Sequence, residues 1–349
     1  MTTAALGARH AIRNILAVHS RGVDRADLNL LASAYHDDAT VDYGFFTGPA
    51  QTFAEILSGA QKNALPSLHR TANCEIRVDG ERAVSESYVI AYVEEAEIQR
   101  MVFGRYLDRL ECRDGAWRLT HRRYVLDSNT NRANTAVRAD PPVTSDHFVP
   151  EGGKGASDPG RALIARHEAA SHLLHKAPPM NPTEEALHAA LAREAIRPLL
   201  TGYCRAADRA DAELMQSLFW EDADIISGIC NGSPAEFASA VTAFITANLE
   251  SCFHSIANEW IEVKGDHAVG EHYIIAHNRA GGSDTLTGGR YVDSYQRRDG
   301  VWKIASRTFV CDWTATHPTT FEASGFYEGL TTRGCYGKTD PVYDHWASL

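Results

Sequence analysis

Two aspartates and two histidines stand at matching places in the two halves of the chain. Asp24 recurs 184 positions later as Asp208, and His69 recurs 185 positions later as His254. A neutral imidazole can act as a general base, because its ordinary pKa of about 6.5 lies near neutral pH. Both histidines keep their places while the residues beside them change, which favours a functional role for them.

The local sequence also allows a structural role for the aspartates. Each one opens the phrase DRAD just before a predicted helix, and Asp is a good helix N-cap. On this local evidence alone, capping is favoured over chemistry for Asp24 and Asp208. The cap could equally be supplied by Asp27 and Asp211, so the two roles need not conflict.

These residues belong to a long internal repeat. GVDRADLNLLASAYHDD (22–38) returns as AADRADAELMQSLFWED (206–222), and CRDGAWRL (112–119) returns as RRDGVWKI (297–304). A repeat of this length indicates a duplicated domain rather than a solenoid.

The repeat and the composition between its copies predict four segments. The two domains are expected over 1–130 and 183–315. Between them, 131–182 is rich in Pro, Gly and Asp and is predicted to be a linker with a short helix. The remaining segment, 316–349, is too aromatic for a free tail, so we expect it to pack on a barrel.

Each half predicts the same order of elements. Apolar residues recur at helical spacing along 12–23 and along 196–207. A second helix, a short strand and a third helix follow, the last opening at Gly48 and Pro49 because Pro is tolerated in a first helical turn. Four strands complete each half, the last two joined by a hairpin turn at 113–115. Helices before strands indicate an α+β fold with an antiparallel sheet, curved around three helices to enclose an apolar pocket.

The bulk properties exclude several classes of partner. The net charge of −11 argues against a nucleic acid and against an anionic membrane surface. No apolar run approaches the roughly 20 residues that cross a bilayer, and the first residues lack a signal-peptide pattern. Seven scattered cysteines without a CxxC pair indicate reduced thiols, so we expect a cytoplasmic protein.

Each half resembles a SnoaL-like domain of the nuclear transport factor 2-like superfamily, a conical α+β barrel. The resemblance covers roughly residues 5–130 and 185–315. It rests on the paired GVDRAD-type helices, the Gly-Pro helix start, a His opening the first long strand, and the closing hairpin. Relatives of this kind include dehydrochlorinases, dehydratases and diarylpropane lyases, which act without a cofactor on apolar ring compounds.

The resemblance implies an Asp–His dyad in each half, with a polar residue five positions before the Asp and an Arg on the last strand. No metal is required for such a dyad to remove a proton. Relatives have Lys or Tyr at the polar position, whereas the first half has His19, so the two sites could differ in chemistry. Whether one or both halves are active stays open. The matching residues, expected to be catalytic, are Asp24, His69, His19 and Arg122 in the first half and Asp208, His254, Tyr203 and Arg307 in the second.

Several of these positions have a structural alternative. Cross-strand ion pairing on the outer face is an equal explanation for Arg122 and Arg307. Aromatic residues are mostly core, although some must line the pocket and would suit a flat ring. The predicted substrate-binding residues are Tyr43, Tyr88, Tyr106, Trp220, Tyr273 and Tyr291.

A metal site is not predicted. The linker histidines His167, His172 and His175 match no tight ligand spacing and are better explained by an exposed helix.

The function expected from these observations is a cofactor-independent lyase acting on a small apolar aromatic or polycyclic alcohol, with dehydration as its simplest form. Two alternatives remain: an isomerase or cyclase of a polyketide or steroid, and a non-catalytic scaffold or binding protein. Two linked copies can pair within one chain at high effective concentration, so a homo-oligomer built on an intrachain pseudo-dimer is expected.

Overall fold

A computed structural model describes residues 2–65, 67–134, 184–227 and 230–349. Most of the predicted linker, including His167, His172 and His175, lies outside the described residues. Among the helices that are described, none is both long and apolar enough to span a membrane.

The first domain opens with a long helix that ends at Asp24. Helix α1 begins after Thr2, whose hydroxyl accepts a hydrogen bond from the main-chain N–H of Ala5. Asp27 caps the second helix by accepting from the N–H of Leu30, so Asp24 is not a helix cap. The elements are α1 (Thr3–Asp24), α2 (Leu28–Ser33), β1 (Tyr35–Asp42), β2 (Thr47–Pro49), α3 (Ala50–Lys62), β3 (Ser67–Asp79), β4 (Arg82–Glu94), β5 (Ile98–Arg113) and β6 (Ala116–Ala133).

The second domain repeats this order. Asp211 caps its short helix by accepting from the N–H of Leu214. Ser233 and Glu236 form a capping box at the start of its third helix. The elements are α4 (Glu184–Asp208), α5 (Ala212–Ser217), β7 (Phe219–Ile226), α6 (Pro234–Asn248), β8 (Ser251–Lys264), β9 (His267–Ala280), β10 (Ser283–Arg298) and β11 (Val301–Pro318).

Each domain contains one sheet. The strand orders are β2-β1-β6-β5-β4-β3 and β7-β11-β10-β9-β8, so β3 and β8 are edge strands. The long strands are antiparallel, but β1 runs parallel to β6 and β7 runs parallel to β11. The prediction of a purely antiparallel sheet is therefore wrong at these two strands. A helix and four strands separate β1 from β6 in the chain, and a helix and three strands separate β7 from β11, so no hairpin forces either pair to be antiparallel.

The apolar stripe of the first helix in each domain is buried as its periodicity predicts. Ile12 and Leu16 lie in the core of the first domain, and Ile196 and Leu200 lie in the core of the second. The predicted α+β architecture with two tandem barrels is confirmed.

The segment after β11 returns to the first domain. Tyr327, in a short 3₁₀ turn (Gly325–Tyr327), and Leu330 join the first domain's core. Helix α7 (Pro341–Ala347) then places Val342 and Trp346 against Val84, Leu107 and Val125 on the outer face of the first sheet. The tail of the second domain thus packs on the first barrel, while assembly beyond one chain stays a prediction.

Candidate active sites

The first acid–histidine pair is held by three hydrogen bonds. Oδ1 of Asp24 lies 2.7 Å from Nδ1 of His69, and Oδ2 accepts from the main-chain N–H of His69 at 2.9 Å. The hydroxyl of Ser67 donates to Oδ1 at 3.1 Å. A carboxylate can only accept, so Nδ1 carries the proton and Nε2 is the basic nitrogen available to a ligand.

The second pair repeats this geometry with one changed neighbour. Oδ1 of Asp208 lies 2.6 Å from Nδ1 of His254, and Oδ2 accepts from the main-chain N–H of His254 at 3.0 Å. Cys252 replaces Ser67, and its Sγ lies 3.4 Å from Nδ1 of the same imidazole. The structure thus brings both predicted pairs together at strand starts, each reaching back to the end of the first helix of its domain.

The environment of His254 changes its protonation. Burial by itself lowers the pKa of His254, but the interactions of the imidazole with Cys252 and Asp208, which include a hydrogen bond to each, outweigh burial and raise the pKa well above its ordinary value. Burial raises the pKa of the Cys252 thiol, which is therefore protonated at neutral pH. We expect the carboxylate of Asp208 to be the partner that stabilises the imidazolium form of His254.

The polar position before each Asp has a different character in the two domains. His19 lies edge-on to Tyr35 and Tyr106, at centroid distances of 5.6 and 5.7 Å, and neither of its ring nitrogens has a hydrogen-bond partner. Burial, followed by the charge of Arg122, lowers its pKa well below the ordinary value, so His19 is neutral. Tyr203 lies edge-on to Tyr291, and burial raises its pKa to about 12.

The two strand arginines form ion pairs inside the barrels rather than outside. Arg122 donates from Nε and Nη2 to Asp108, and Arg307 makes the same contacts with Asp293. All four side chains are buried, so the alternative of ion pairing on the outer face is wrong, although the pairing is cross-strand. Arg122 lies 4.0 Å from the ring centre of Tyr106. Sequence reasoning missed both aspartates, although they are copies of each other in the repeat, as the other site residues are.

Each histidine faces a cavity. The first cavity has a volume of about 890 Å³ and a mainly apolar wall, to which His19, His69, Tyr43 and Tyr106 contribute. Phe326 and Leu330 of the tail close part of it.

The second cavity is much smaller, about 220 Å³. Its lining includes His254, Tyr203 and Tyr291. Tyr124 in the first cavity and Phe309 in the second were not predicted, although they are copies of each other in the repeat.

Three predicted lining residues lie outside the cavities. Tyr88 packs against Phe253 of the other domain, with ring centres 5.0 Å apart. Trp220 donates from Nε1 to the carbonyl of Gln296 at the surface, and Tyr273 is 45% exposed. Successive strand residues point to opposite faces, so these aromatics fall on the outer side of their sheets.

One group of possible metal ligands occurs among the residues whose side chains are described. Donor atoms of Asp208, Cys252 and His254 all lie within 4.8 Å of one another. Thiolate, imidazole and carboxylate are ligands that zinc accepts. A metal there would have to replace the hydrogen bond between Asp208 and His254, so it would compete with the pair rather than assist it.

The SnoaL-like domain family matches the chain twice, over residues 4–123 and 188–308. The gamma-hexachlorocyclohexane dehydrochlorinase of Sphingobium indicum is 27% identical over 120 residues, which are 33% of this chain and 77% of that protein.

Two solved structures are also similar. A hexachlorocyclohexane dehydrochlorinase from Novosphingobium barchaimii is 23% identical, covers 36% of this chain and 90% of its own, and has a TM-score of 0.35. A nuclear transport factor 2-like superfamily protein from Salmonella enterica is 18% identical, covers 35% and 92%, and has a TM-score of 0.33.

Proposed function

The chain belongs to the SnoaL-like domain family, and on that basis we propose that it is a cofactor-independent lyase that acts on an apolar aromatic or polycyclic alcohol. Homology to this domain family and to a dehydrochlorinase supports a lyase- or isomerase-type enzyme. One observation carries the proposal: in both copies an imidazole, bonded to a buried carboxylate at 2.6–2.7 Å, faces an apolar cavity.

The geometry supports dehydration as the simplest reaction. Nε2 of His69 takes a proton from the carbon next to the carbinol carbon, and the C–H electron pair forms the new double bond. The C–O bond breaks, and the departing hydroxide receives the proton from the imidazolium, so one water is released. Asp24 stays ionised throughout and stabilises the imidazolium. Loss of formaldehyde from a diarylpropane-type diol is a related form that the same base could support.

The cavities support different substrate sizes. The volume of the first, about 890 Å³, lies in the range that holds a drug-sized ligand, and its wall offers many aromatic and aliphatic side chains. The second, about 220 Å³, suits a single ring. We therefore propose that the first domain takes the larger, polycyclic substrate.

An isomerase is the second candidate, and Tyr203 is the observation that favours it. Its phenol lines the cavity that His254 faces, and its pKa of about 12 keeps the proton on the oxygen. A base on one side and a phenol on the other could move a proton between two carbons without loss of mass.

A panel of alcohols tests the proposal. Purified enzyme is incubated with 1-indanol, 1-tetralol and a steroid alcohol, and products are identified by mass spectrometry. A loss of one water supports the lyase, whereas a product of unchanged mass supports the isomerase.

The variants His69→Ala, His254→Ala and the double variant then assign the sites. We expect each single change to lower kcat at its own site by about 10²–10⁴-fold. His121→Ala is the matched control, because His121 bonds Thr40 away from both cavities. Unchanged rates in both single variants and the double variant would remove the dyads from the mechanism.

A further inference from the structure

The strand that carries His254 is held in place by the other domain. Strand β8 is an edge strand, so part of its backbone lacks a neighbour in its own sheet. Asn73 of the first domain fills this gap with its side-chain amide. Its Nδ2 donates to the carbonyl of His254 at 2.5 Å, and its Oδ1 accepts from the N–H of Ile256 at 2.6 Å.

The conformation of Asn73 is specialised for this contact. It is only 6% exposed and has a φ of +44°, in the left-handed region, at an irregularity between Ala72 and Glu75 in β3. This region costs most side chains free energy, and Asn tolerates it better than most. The irregularity turns the amide of Asn73 away from its own sheet and toward the second domain.

Neighbouring contacts join the same two parts of the molecule. Arg70 donates from Nη1 to the hydroxyl of Ser255 at 2.8 Å, and Thr201 on α4 donates to Glu75 at 2.9 Å. The first domain therefore touches both the strand that carries His254 and the helix that carries Asp208.

We propose that Asn73 is a positioning residue of the second site, so that the second dyad is completed by the first domain. This inference rests on the proposed function. The N–H of His254 is bonded to Asp208 and its carbonyl is bonded to Asn73, so both peptide groups that flank the residue are fixed. Loss of the amide lets β8 move away from α4 and lengthens the 2.6 Å bond between Nδ1 and Asp208.

Two variants of the full chain separate the effect of losing the amide hydrogen bonds from the effect of changing the backbone conformation. Asn73→Gly keeps the left-handed conformation without strain and removes both hydrogen bonds. Asn73→Asp has the same shape and removes the N–H donor to the carbonyl of His254. This second variant also reports on the site if the glycine variant folds poorly.

The readouts need no substrate. Nitrogen-15 NMR follows the titration of His254, whose charged and titratable neighbours are Asp208, Cys252 and, in the lining of the same cavity, Tyr203 and Tyr291. In Asn73→Gly we expect the pKa of His254 to fall toward the ordinary histidine range, because its contact with Asp208 loosens. Exchange of the Ile256 amide should become about 3- to 10-fold faster in Asn73→Gly and less affected in Asn73→Asp.

Turnover supplies a separate test. In a His69→Ala background, Asn73→Gly should lower kcat by about tenfold or more, and this loss should exceed the loss in a His254→Ala background. An unchanged His254 titration and unchanged Ile256 exchange in Asn73→Gly would overturn the inference. If His254 is not a base, the titration still reports its position, so a failed proposal of function and a failed inference give different results.

Discussion

Asp108 and Arg122 lie directly opposite each other on β5 and β6 and form a two-point ion pair inside the first barrel. The nitrogen–oxygen distances are 2.7 and 2.8 Å, and both side chains are buried. Burial by itself lowers the pKa of Arg122, but Asp108 raises it well above the ordinary value, so the pair stays ionised. The pair fixes a positive charge behind Tyr106, whose ring lines the cavity.

Removing the carboxylate of this pair should destabilise the first domain strongly. Asp108→Asn leaves a buried guanidinium without its counter-charge, which costs about 3–5 kcal/mol. Unfolding in denaturant measures the change. The surface pair of Arg113 and Asp38 provides the control, and Asp38→Asn should leave the unfolding midpoint where it is. An Asp108→Asn protein as stable as the parent would contradict this account of the pair.

As the pH decreases, the second site should lose activity at a higher pH than a site whose base is an ordinary imidazole. Its base works only when neutral, and the pKa of His254 is raised well above the usual value. In a His69→Ala background, kcat should therefore fall as the pH decreases through that raised pKa. Cys252→Ser copies the first domain, where Ser67 stands, and should move the acid limb to lower pH. If the acid limb of the pH profile does not move in Cys252→Ser, the thiol is not a cause of the raised pKa of His254.

The raised pKa of His254 also predicts how the stability of the fold changes with pH. The folded-state pKa of His254 is higher than its unfolded value, so its charged form stabilises the fold fully below pH about 6.5. This contribution disappears as the pH rises through the folded-state pKa. The difference in unfolding free energy between the parent and His254→Ala should therefore shrink toward high pH, and a difference that grows would contradict the sign.

Three other histidines should produce acid sensitivity in a separate pH range. Burial lowers the pKa values of His272, His277 and His345 to about 4. Below pH about 6.5 the unfolded chain binds protons that the folded chain excludes, so stability falls as the pH decreases toward 4. Urea unfolding at several pH values measures this slope. His345→Gln, which can still donate to the carbonyl of Ser85, should reduce it, and constant stability from pH 7 to 5 would refute the prediction.

The tail should detach when its buried carboxylate is neutralised. Asp340 accepts hydrogen bonds from Arg105 and Arg209, and it anchors the segment that carries Leu330 to the first cavity. Asp340→Asn should make limited proteolysis of the tail at least about tenfold faster. Asp344→Asn, the control, changes an exposed acid on helix α7 and should leave the rate of proteolysis unchanged. Equal cleavage rates in the two variants would show that the ion pairs do not hold the tail.

A soft metal should bind the second dyad and not the first. Cd²⁺ added to the protein should produce an ultraviolet thiolate-to-metal absorption band that Cys252→Ser removes. Ser67→Cys should create a second such band, because Ser67 occupies the matching position beside Asp24. Cys335→Ser, at an exposed cysteine, is the control. A band that survives in Cys252→Ser would place the metal elsewhere.

Most of the fold could be predicted from local patterns in the chain. The helix stripes around Ile12 and Ile196 and the hairpin turns depend on residues close together in sequence, so the two copies report them reliably. The pairing of Asp24 with His69 followed from the family resemblance, since the local sequence alone favoured a helix cap for the aspartate. Their distance supports the dyad, and its catalytic role remains a prediction.

Other features depended on contacts between distant parts of the chain. Tyr88 and Tyr106 are equally plausible pocket aromatics in the sequence. In the sheet, however, Tyr88 lies opposite Arg105, the residue before Tyr106, so the two tyrosines face opposite sides of the sheet. The amide of Asn73 reaches the strand of His254 only because the two edge strands meet.

The sequence by itself determined which residues recur, where the helices and strands lie, and which family the chain resembles, because periodicity and turn chemistry act over a few residues. Only the tertiary structure decided which side of each sheet a residue faces, how the tail closes part of the first cavity, and how large each cavity is. Those properties arise from long-range packing, in which one position of register moves a side chain from the cavity to the opposite face.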